Sequence, residues 1–582
     1  MRKSFALLPA LSLLILLGQP VTAGQGRHLV FPAHHLEFLS GGAYASMVGP
    51  DTGARSAGPA SVQQQATPSV GPNVQVNAPQ QPFPNGLLGR SETTVAGTAD
   101  AQQIVVGFND AQGFCGPPFG RACTPPANPG LSGFAFSTDG GAHWSDTGVG
   151  LMNDASGTTV FTRGDPWLDR GGLDGDTFYY ANLSVRYPDG ADLGVSVHRG
   201  RFTGSSFAFD DVHILPPPNP NDFYDKEAIA TAKDGSGAGL VSLTNFIQTC
   251  NIPANGFGQI EVWRTHDAGT TWQGPTVVSP DQTLVTDAAN PSCGSSGLLQ
   301  QSSAPAVGPN GELYVAWQLG PTLSSGAPPS TNAAVRVARS LDGGVTFGAP
   351  VTVAAINSMR QNPLVGYNRN RINDHPRIAV DTTGTHRGRV YLTYYSAAQP
   401  ATSPGTVDCP GSVSTTATCV GQSLISSQAF LSFSDDQGLT WSQPTPIAPM
   451  AENTVLKRLW PVVSVEPNGT VDVTYYESRE QDAQDGSLCT VRVSRNPLIY
   501  RTGDAHSFVN TFWVQSHDGG VTFSATRRVS SATSDWCTTV SDVTPNFGDY
   551  IGSASATGRV LSTWADGRNG VPDTFYATGF GT

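Results

Sequence analysis

The chain has 582 residues, a formal net charge of −13 at pH 7, and charged residues at only 13% of its positions. The acidic excess is scattered, with no polybasic tract, and this excludes a nucleic-acid partner, because phosphate binding needs a basic footprint. Glycine (66) and proline (44) are abundant and helical alanine-leucine-glutamate runs are lacking, a mix that points to short strands and turns.

Met1-Arg2-Lys3, an apolar run from Phe5 to Leu17 and the small residues Val21-Thr22-Ala23 have the order of a secretory signal peptide, so residues 1–23 are expected to be removed. No later stretch is long and apolar enough to span a bilayer. The mature protein is expected to be secreted or periplasmic, soluble and monomeric. All eight cysteines lie beyond the signal segment, and an even count in an exported chain favours disulfides. No Cys-x-x-Cys or His-x-x-x-His spacing occurs, so no metal and no cofactor is expected. Residues 24–88 are a low-complexity leader rich in Gly, Ala, Pro, Gln and Ser. Within it only Asn73-Val-Gln-Val-Asn77 alternates like a strand.

Residues 89–582 repeat an octapeptide five times. It reads Ser137-Thr-Asp139-Gly-Gly141-Ala-His-Trp144, then Thr265-His-Asp267-Ala-Gly269-Thr-Thr-Trp272, then Ser340-Leu-Asp342-Gly-Gly344-Val-Thr-Phe347. Ser434-Asp-Asp436-Gln-Gly438-Leu-Thr-Trp441 and Ser516-His-Asp518-Gly-Gly520-Val-Thr-Phe523 complete the set. The pattern predicts a turn: the Asp carboxylate accepts backbone N–H groups, Gly takes a positive φ, and the aromatic anchors the returning strand. Asp139, Asp267, Asp342, Asp436 and Asp518 are therefore expected to be structural.

Each octapeptide follows alternating runs that read as half-buried strands, such as Ile104–Asn109, Leu313–Gln318, Val390–Tyr395 and Val471–Tyr476. Inner strands are expected to start near Glu92, Pro166, Glu227, Ala304, Pro376, Pro461 and Asp549. Seven units result, the last with three strands, and the segment near Val74 is placed to supply its fourth. The octapeptide resembles the Asp-box, or BNR repeat, of sialidases and related propellers. The resemblance implies an all-β fold, a single propeller of four-stranded antiparallel blades. Seven blades are expected here; six plus a hairpin is the alternative.

Inner-strand starts and second-strand ends share one face of a propeller, the upper face. They are polar here: Arg163-Gly-Asp165, Asp225-Lys226-Glu227, Asp374-His375-Pro376-Arg377, Gly548-Asp549-Tyr550, Glu477-Ser-Arg479 and Asp566-Gly-Arg568. Long insertions (111–130, 247–258, 396–427 and 480–510) fall on that face. So do the cysteines, for which sequential pairing is expected: Cys115–Cys123, Cys250–Cys293, Cys409–Cys419 and Cys489–Cys537.

Sialidases hold a sugar carboxylate with three arginines and use an acidic proton donor and a Tyr nucleophile assisted by Glu. By that resemblance Arg377, Arg479 and Arg568, with Asp566, form the substrate site. Tyr395 is the nucleophile, Glu477 the base and Asp225 the acid; Tyr550, Glu227 and Asp165 are the alternatives. The Phe/Tyr-Arg-Ile-Pro stretch of sialidases is absent: Gly89-Arg90-Ser-Glu92 stands at its place, and Pro376-Arg377-Ile378 lies in another blade. Two functions follow. One is a sialidase-like glycoside hydrolase acting on anionic glycans at the upper channel mouth. The other is a non-catalytic propeller that binds extracellular carbohydrate or protein.

Overall fold

The runs read as half-buried strands are buried on both sides. Ile104–Asp110, Gly239–Phe246 and Val390–Ala397 have almost every residue out of solvent. Their alternation separates residues that face two different neighbouring sheets, so the period of two survives while the exposed side does not.

The computed structural model describes residues 70–80, 87–115, 129–246, 258–279, 285–287, 290–295, 298–321, 333–359, 364, 366–367, 372–398, 426–449, 456–481, 506–543 and 545–580. The architecture is an all-β propeller of antiparallel sheets. Five sheets of four or more strands stand separately, besides a two-stranded ribbon of Val285–Asp287 and Asn290–Ser295. Their inner strands are Arg90–Gly97, Thr159–Gly171, Phe223–Thr231, Leu298–Val307 and Gly552–Ala556. Four of them have four strands; the second gains a fifth, Met152–Asn153. The rest of the ring is one nine-stranded sheet holding the inner strands Arg377–Val380 and Leu456–Val465, joined by a parallel contact between Ser427 and Lys457. These sheets do not by themselves decide between the two expected blade counts. Val74–Gln75 pairs antiparallel with Asp573–Phe580 as the outer strand of the last sheet.

Apolar side chains fill the gaps between neighbouring sheets. Ala96, Val105 and Phe134 meet Leu168, Phe178 and Tyr180 between the first and second sheets. Val95 and Ile104 of the first sheet pack with Leu561 and Tyr576 of the last, closing the ring. Among the described residues no helix is long and apolar enough to cross a membrane.

The five octapeptides form one kind of turn. In each, the Ser or Thr hydroxyl donates to the Asp carboxylate at 2.7–2.8 Å and accepts the N–H of the Gly four residues on at 2.8–2.9 Å. The same carboxylate accepts the N–H four residues on, at 2.8–3.0 Å. The Gly is left-handed, and a Cβ at Gly141 would lie 2.2 Å from Tyr576 of the preceding sheet.

Five of the seven expected inner-strand starts lie inside longer strands, at bulges, while Pro376 and Asp549 precede the strands Arg377–Val380 and Gly552–Ala556. In five strands one extra residue is inserted: between Ser91 and Thr94, Gly164 and Trp167, Asp225 and Ala228, Gln301 and Ala304, and Leu459 and Val462. Each bulge has one non-glycine residue with positive φ: Glu92 (52°), Asp165 (56°), Lys226 (56°), Ser302 (61°) and Trp460 (47°). Non-glycine residues resist this conformation. The bulge interrupts the apolar run, which is why the sequence signal begins only after it.

Candidate functional site

Three of the bulge side chains converge. Lys226 Nζ lies 2.6 Å from Asp549 Oδ2, 3.4 Å from Glu92 Oε1 and 3.4 Å from Asp165 Oδ2, with all four side chains at most 1% exposed. Asn109 Nδ2 donates to Glu92 Oε2 at 2.6 Å, and Asn109 Oδ1 accepts the N–H of Asp165 at 3.0 Å. Asp549 accepts from Tyr367 Oη at 2.9 Å and Asn373 Nδ2 at 3.2 Å.

The acids outnumber the single ammonium. Burial, then the neighbouring Asp165, pushes the Glu92 carboxyl well above the usual range, although Lys226 pulls it back; a side-chain hydrogen bond joins Glu92 to Asp165. Burial lowers the Lys226 ammonium, but Asp165, Asp549 and Glu92 together outweigh it, so the group stays charged. Beside them Glu227 is 2% exposed, and among the described residues neither carboxyl oxygen has a hydrogen-bond partner. Burial first, then Asp165 and Asp225, raises its carboxyl well above its ordinary value and favours the protonated form.

The aromatic wall comes from the next residues along. Tyr550 Oη donates to the Pro166 carbonyl at 2.9 Å, and its ring lies 5.5 Å from Trp167. The Arg377 guanidinium stacks on Trp167 at 4.2 Å and on Tyr550 at 5.2 Å. Burial pushes it down to about 9. The imidazole of His375, kept neutral by burial and by Arg377, accepts a hydrogen bond from Arg377 Nη1.

The three arginines expected to clamp a carboxylate have no partner in common. Arg377 lines an axial cavity. Arg479 is 65% exposed and touches Glu477 at 3.4 Å, while Glu477 has a second, shorter contact with the buried Arg458 at 3.1 Å. Arg568 is bound on the outer part of the last sheet, to Asp566 (2.6 Å), Ser531 (2.9 Å) and Asn73 (3.0 Å), with Phe575 under its plane. Tyr395 is fully buried and donates its hydroxyl to the Asn373 carbonyl. Burial, then Asp374, raises its phenol well above the usual value. Asp225 is buried at the bulge before Lys226.

Glu92, Lys226 and Asp549 were legible only as polar residues at inner-strand starts. Their common signal is a polar residue on the point where an apolar run begins. Of the cysteines, Cys115 and Cys537 are buried and neither is a free thiol. Cys123, Cys250, Cys409, Cys419 and Cys489, and the side chain of Cys293, lie outside the described residues, as do residues 1–69 and most of the long insertions.

No protein-family model matches the sequence, and no curated relative matches it. Solved structures with a similar chain path include sialidase and arabinofuranosidase propellers. The α-L-arabinanase of Penicillium chrysogenum, complexed with arabinobiose, is 12% identical over 88% of this chain and 98% of its own, with a TM-score of 0.37. An α-L-arabinofuranosidase of Fusarium graminearum in complex with arabinobiose is 13% identical over 70% and 93% of the two chains, at a TM-score of 0.36. The Trypanosoma rangeli sialidase in complex with the inhibitor DANA is 12% identical over 74% and 58%, at 0.34. These identities are too low to transfer the role of any residue.

Proposed function

We propose that this chain is a secreted propeller glycoside hydrolase whose reacting groups are the carboxyls around Lys226. The observation that carries the reading is Glu227, a buried carboxyl whose surroundings favour its protonated form and whose two oxygens have no hydrogen-bond partner among the described residues. It stands beside carboxylates that are bound to an ammonium. Glycoside hydrolysis needs such a split between a protonated acid and an ionised partner. Glu227 is the proton donor in this reading, and Asp165 or Asp225 the ionised partner; Trp167 and Tyr550 supply stacking surface for a sugar. The groups are closed to solvent, so turnover requires the upper face to open.

The acidic surroundings favour a neutral glycan. Sialoside specificity rests on Arg377, Arg479 and Arg568, whose separate partners weaken it. The second reading, a non-catalytic binding propeller, is favoured by the closed network itself: Lys226 joins bulges of the first three blades to Asp549 of the last and would serve as a ring lock.

The test is a panel of fluorogenic glycosides, arabinofuranosides and sialosides included, assayed with wild type, Glu227→Gln and Asp165→Asn. Turnover by wild type that falls at least 100-fold in Glu227→Gln supports the hydrolase. A blank panel together with binding on a glycan array supports the second reading.

The scaffold is read as seven blades, taking the nine-stranded sheet as two. This is supported by seven inner strands that line one axial cavity. The five octapeptides are read as structural staples, residues 1–23 as a signal peptide, and the cysteines as paired in sequence order; peptide mapping of the exported protein without reduction checks the last two.

A further inference from the structure

The axial cavity lies just past the bulges and has a volume of about 270 Å³. Val95, Ile229, Ala304 and Val462 give it an apolar wall, and Ser553 closes the circle. One charged group stands at its inner end. Arg377 is 4% exposed, lines the cavity, and lies against the faces of Trp167 and Tyr550. Among the described residues no carboxylate forms an ion pair with it, and its one hydrogen-bond partner, His375, is neutral. Glu92 is the acid near enough to act on it through space, but Glu92 is held by Lys226 and Asn109 and favours its protonated form.

A guanidinium keeps its charge in proteins. A buried charge without a counter-charge is costly, and native structures pair such groups. Here the protein supplies the cation, the room beside it and no anion. At the opposite end the cavity is lined by Arg170 and Lys233, with side chains 21% and 43% exposed, and by Asp169. Each cation there has its own carboxylate, Lys233 with Asp169 at 2.5 Å and Arg170 with Asp176 at 3.3 Å, so the mouth is polar but balanced and the uncompensated charge is that of Arg377. The volume is at the small end of ligand pockets, which are roughly 300–1,000 Å³ for drug-sized molecules, and suits a small ligand.

We propose that the axial cavity is a binding site for a small monovalent anion, chloride or a short carboxylate, which enters past Arg170 and Lys233 and binds the guanidinium of Arg377. The anion neutralises the core of the ring and ties the blades that meet there. The site is separate from the carboxyls around Lys226, so its occupancy does not depend on whether those carboxyls cleave a glycoside.

The experiment uses the full exported chain at constant ionic strength, with gluconate replaced stepwise by chloride or by acetate. Gluconate is the reference anion because its hydroxylated chain would have to give up water against the apolar wall of Val95, Ile229, Ala304 and Val462. The expected result is a melting temperature that rises linearly with the logarithm of chloride concentration once the site fills, as for any ligand that binds only the folded state. Arg377→Met should melt at one temperature throughout the series. Because that variant can fail to fold, wild-type crystals grown in bromide provide a second reading: an anomalous peak beside the Arg377 guanidinium is expected. A wild-type melting temperature indifferent to chloride and acetate overturns the proposal. So does a response that persists in Arg377→Met, or a bromide map without that peak.

Discussion

Lys226 Nζ and Asp549 Oδ2 lie 2.6 Å apart across 323 positions of sequence, wholly buried. The pair links the third blade in chain order to the last, and Glu92 and Asp165 add the first and second. Removing the cation leaves three buried carboxyls around an empty space. Lys226→Met should therefore cost about 3–5 kcal/mol at pH 7. The loss should shrink at pH 5, where the abandoned carboxyls take up protons. Denaturant unfolding at both pH values measures it; a loss below about 1 kcal/mol at pH 7 contradicts a ring-locking role.

Glu227 gives a pH dependence of definite sign. Its carboxyl is raised well above its ordinary 4.5 in the folded chain. Between that value and the folded one, the folded state holds a proton that the unfolded state has released. The contribution is complete below pH 4.5 and is lost as pH rises through the folded value. Glu227→Gln, a neutral replacement of similar shape, should flatten the decline of melting temperature with pH above 4.5. A slope equal to that of wild type would show that Glu227 ionises normally.

The five octapeptide turns give the opposite sign. Hydrogen bonds from Thr440, Ser434 and Leu439 hold the Asp436 carboxylate down to about 2, and those from Thr522 and Ser516 hold Asp518 there despite the cost of burial. A depressed carboxylate contributes stability that is present above pH 3.8 and disappears as pH falls toward 2. Asp436→Ala should destabilise by about 1–2 kcal/mol at pH 7. At pH 2 the variant and wild type should differ little. Loss of turnover or glycan binding at an unchanged melting temperature would move Asp436 out of the structural class.

Arg568 fastens the leader to the last blade. Its guanidinium holds Asn73, Ser531 and Asp566 at once. Arg568→Ala should cost about 2–3 kcal/mol and expose residues 70–80 to protease while leaving the remaining blades folded. Limited proteolysis with mass spectrometry reads this directly. Unchanged protection of that segment, with loss of activity instead, would return Arg568 to the substrate site.

The all-β repeat was readable from local chemistry. The spacing from Ser434 to Asp436 to Gly438 describes a turn whose hydrogen bonds all close within five residues, so neighbouring side chains are enough to specify it. The apolar alternation of Val390–Ala397 is likewise local. Burial on both faces is not local, because it depends on a second sheet lying against each side.

The grouping of charges belonged to tertiary structure alone. Glu92, Asp165 and Lys226 come from three sheets, each at a one-residue bulge, and Asp549 comes from the segment leading into the last inner strand. Sequence order placed Arg377, Arg479 and Arg568 on one face, yet they have three different sets of partners. A face of a propeller is wide, and which of its residues meet depends on radius from the axis. That radius is determined by how far along its strand each residue lies and by the neighbouring blades, neither of which a linear pattern of polar and apolar residues records.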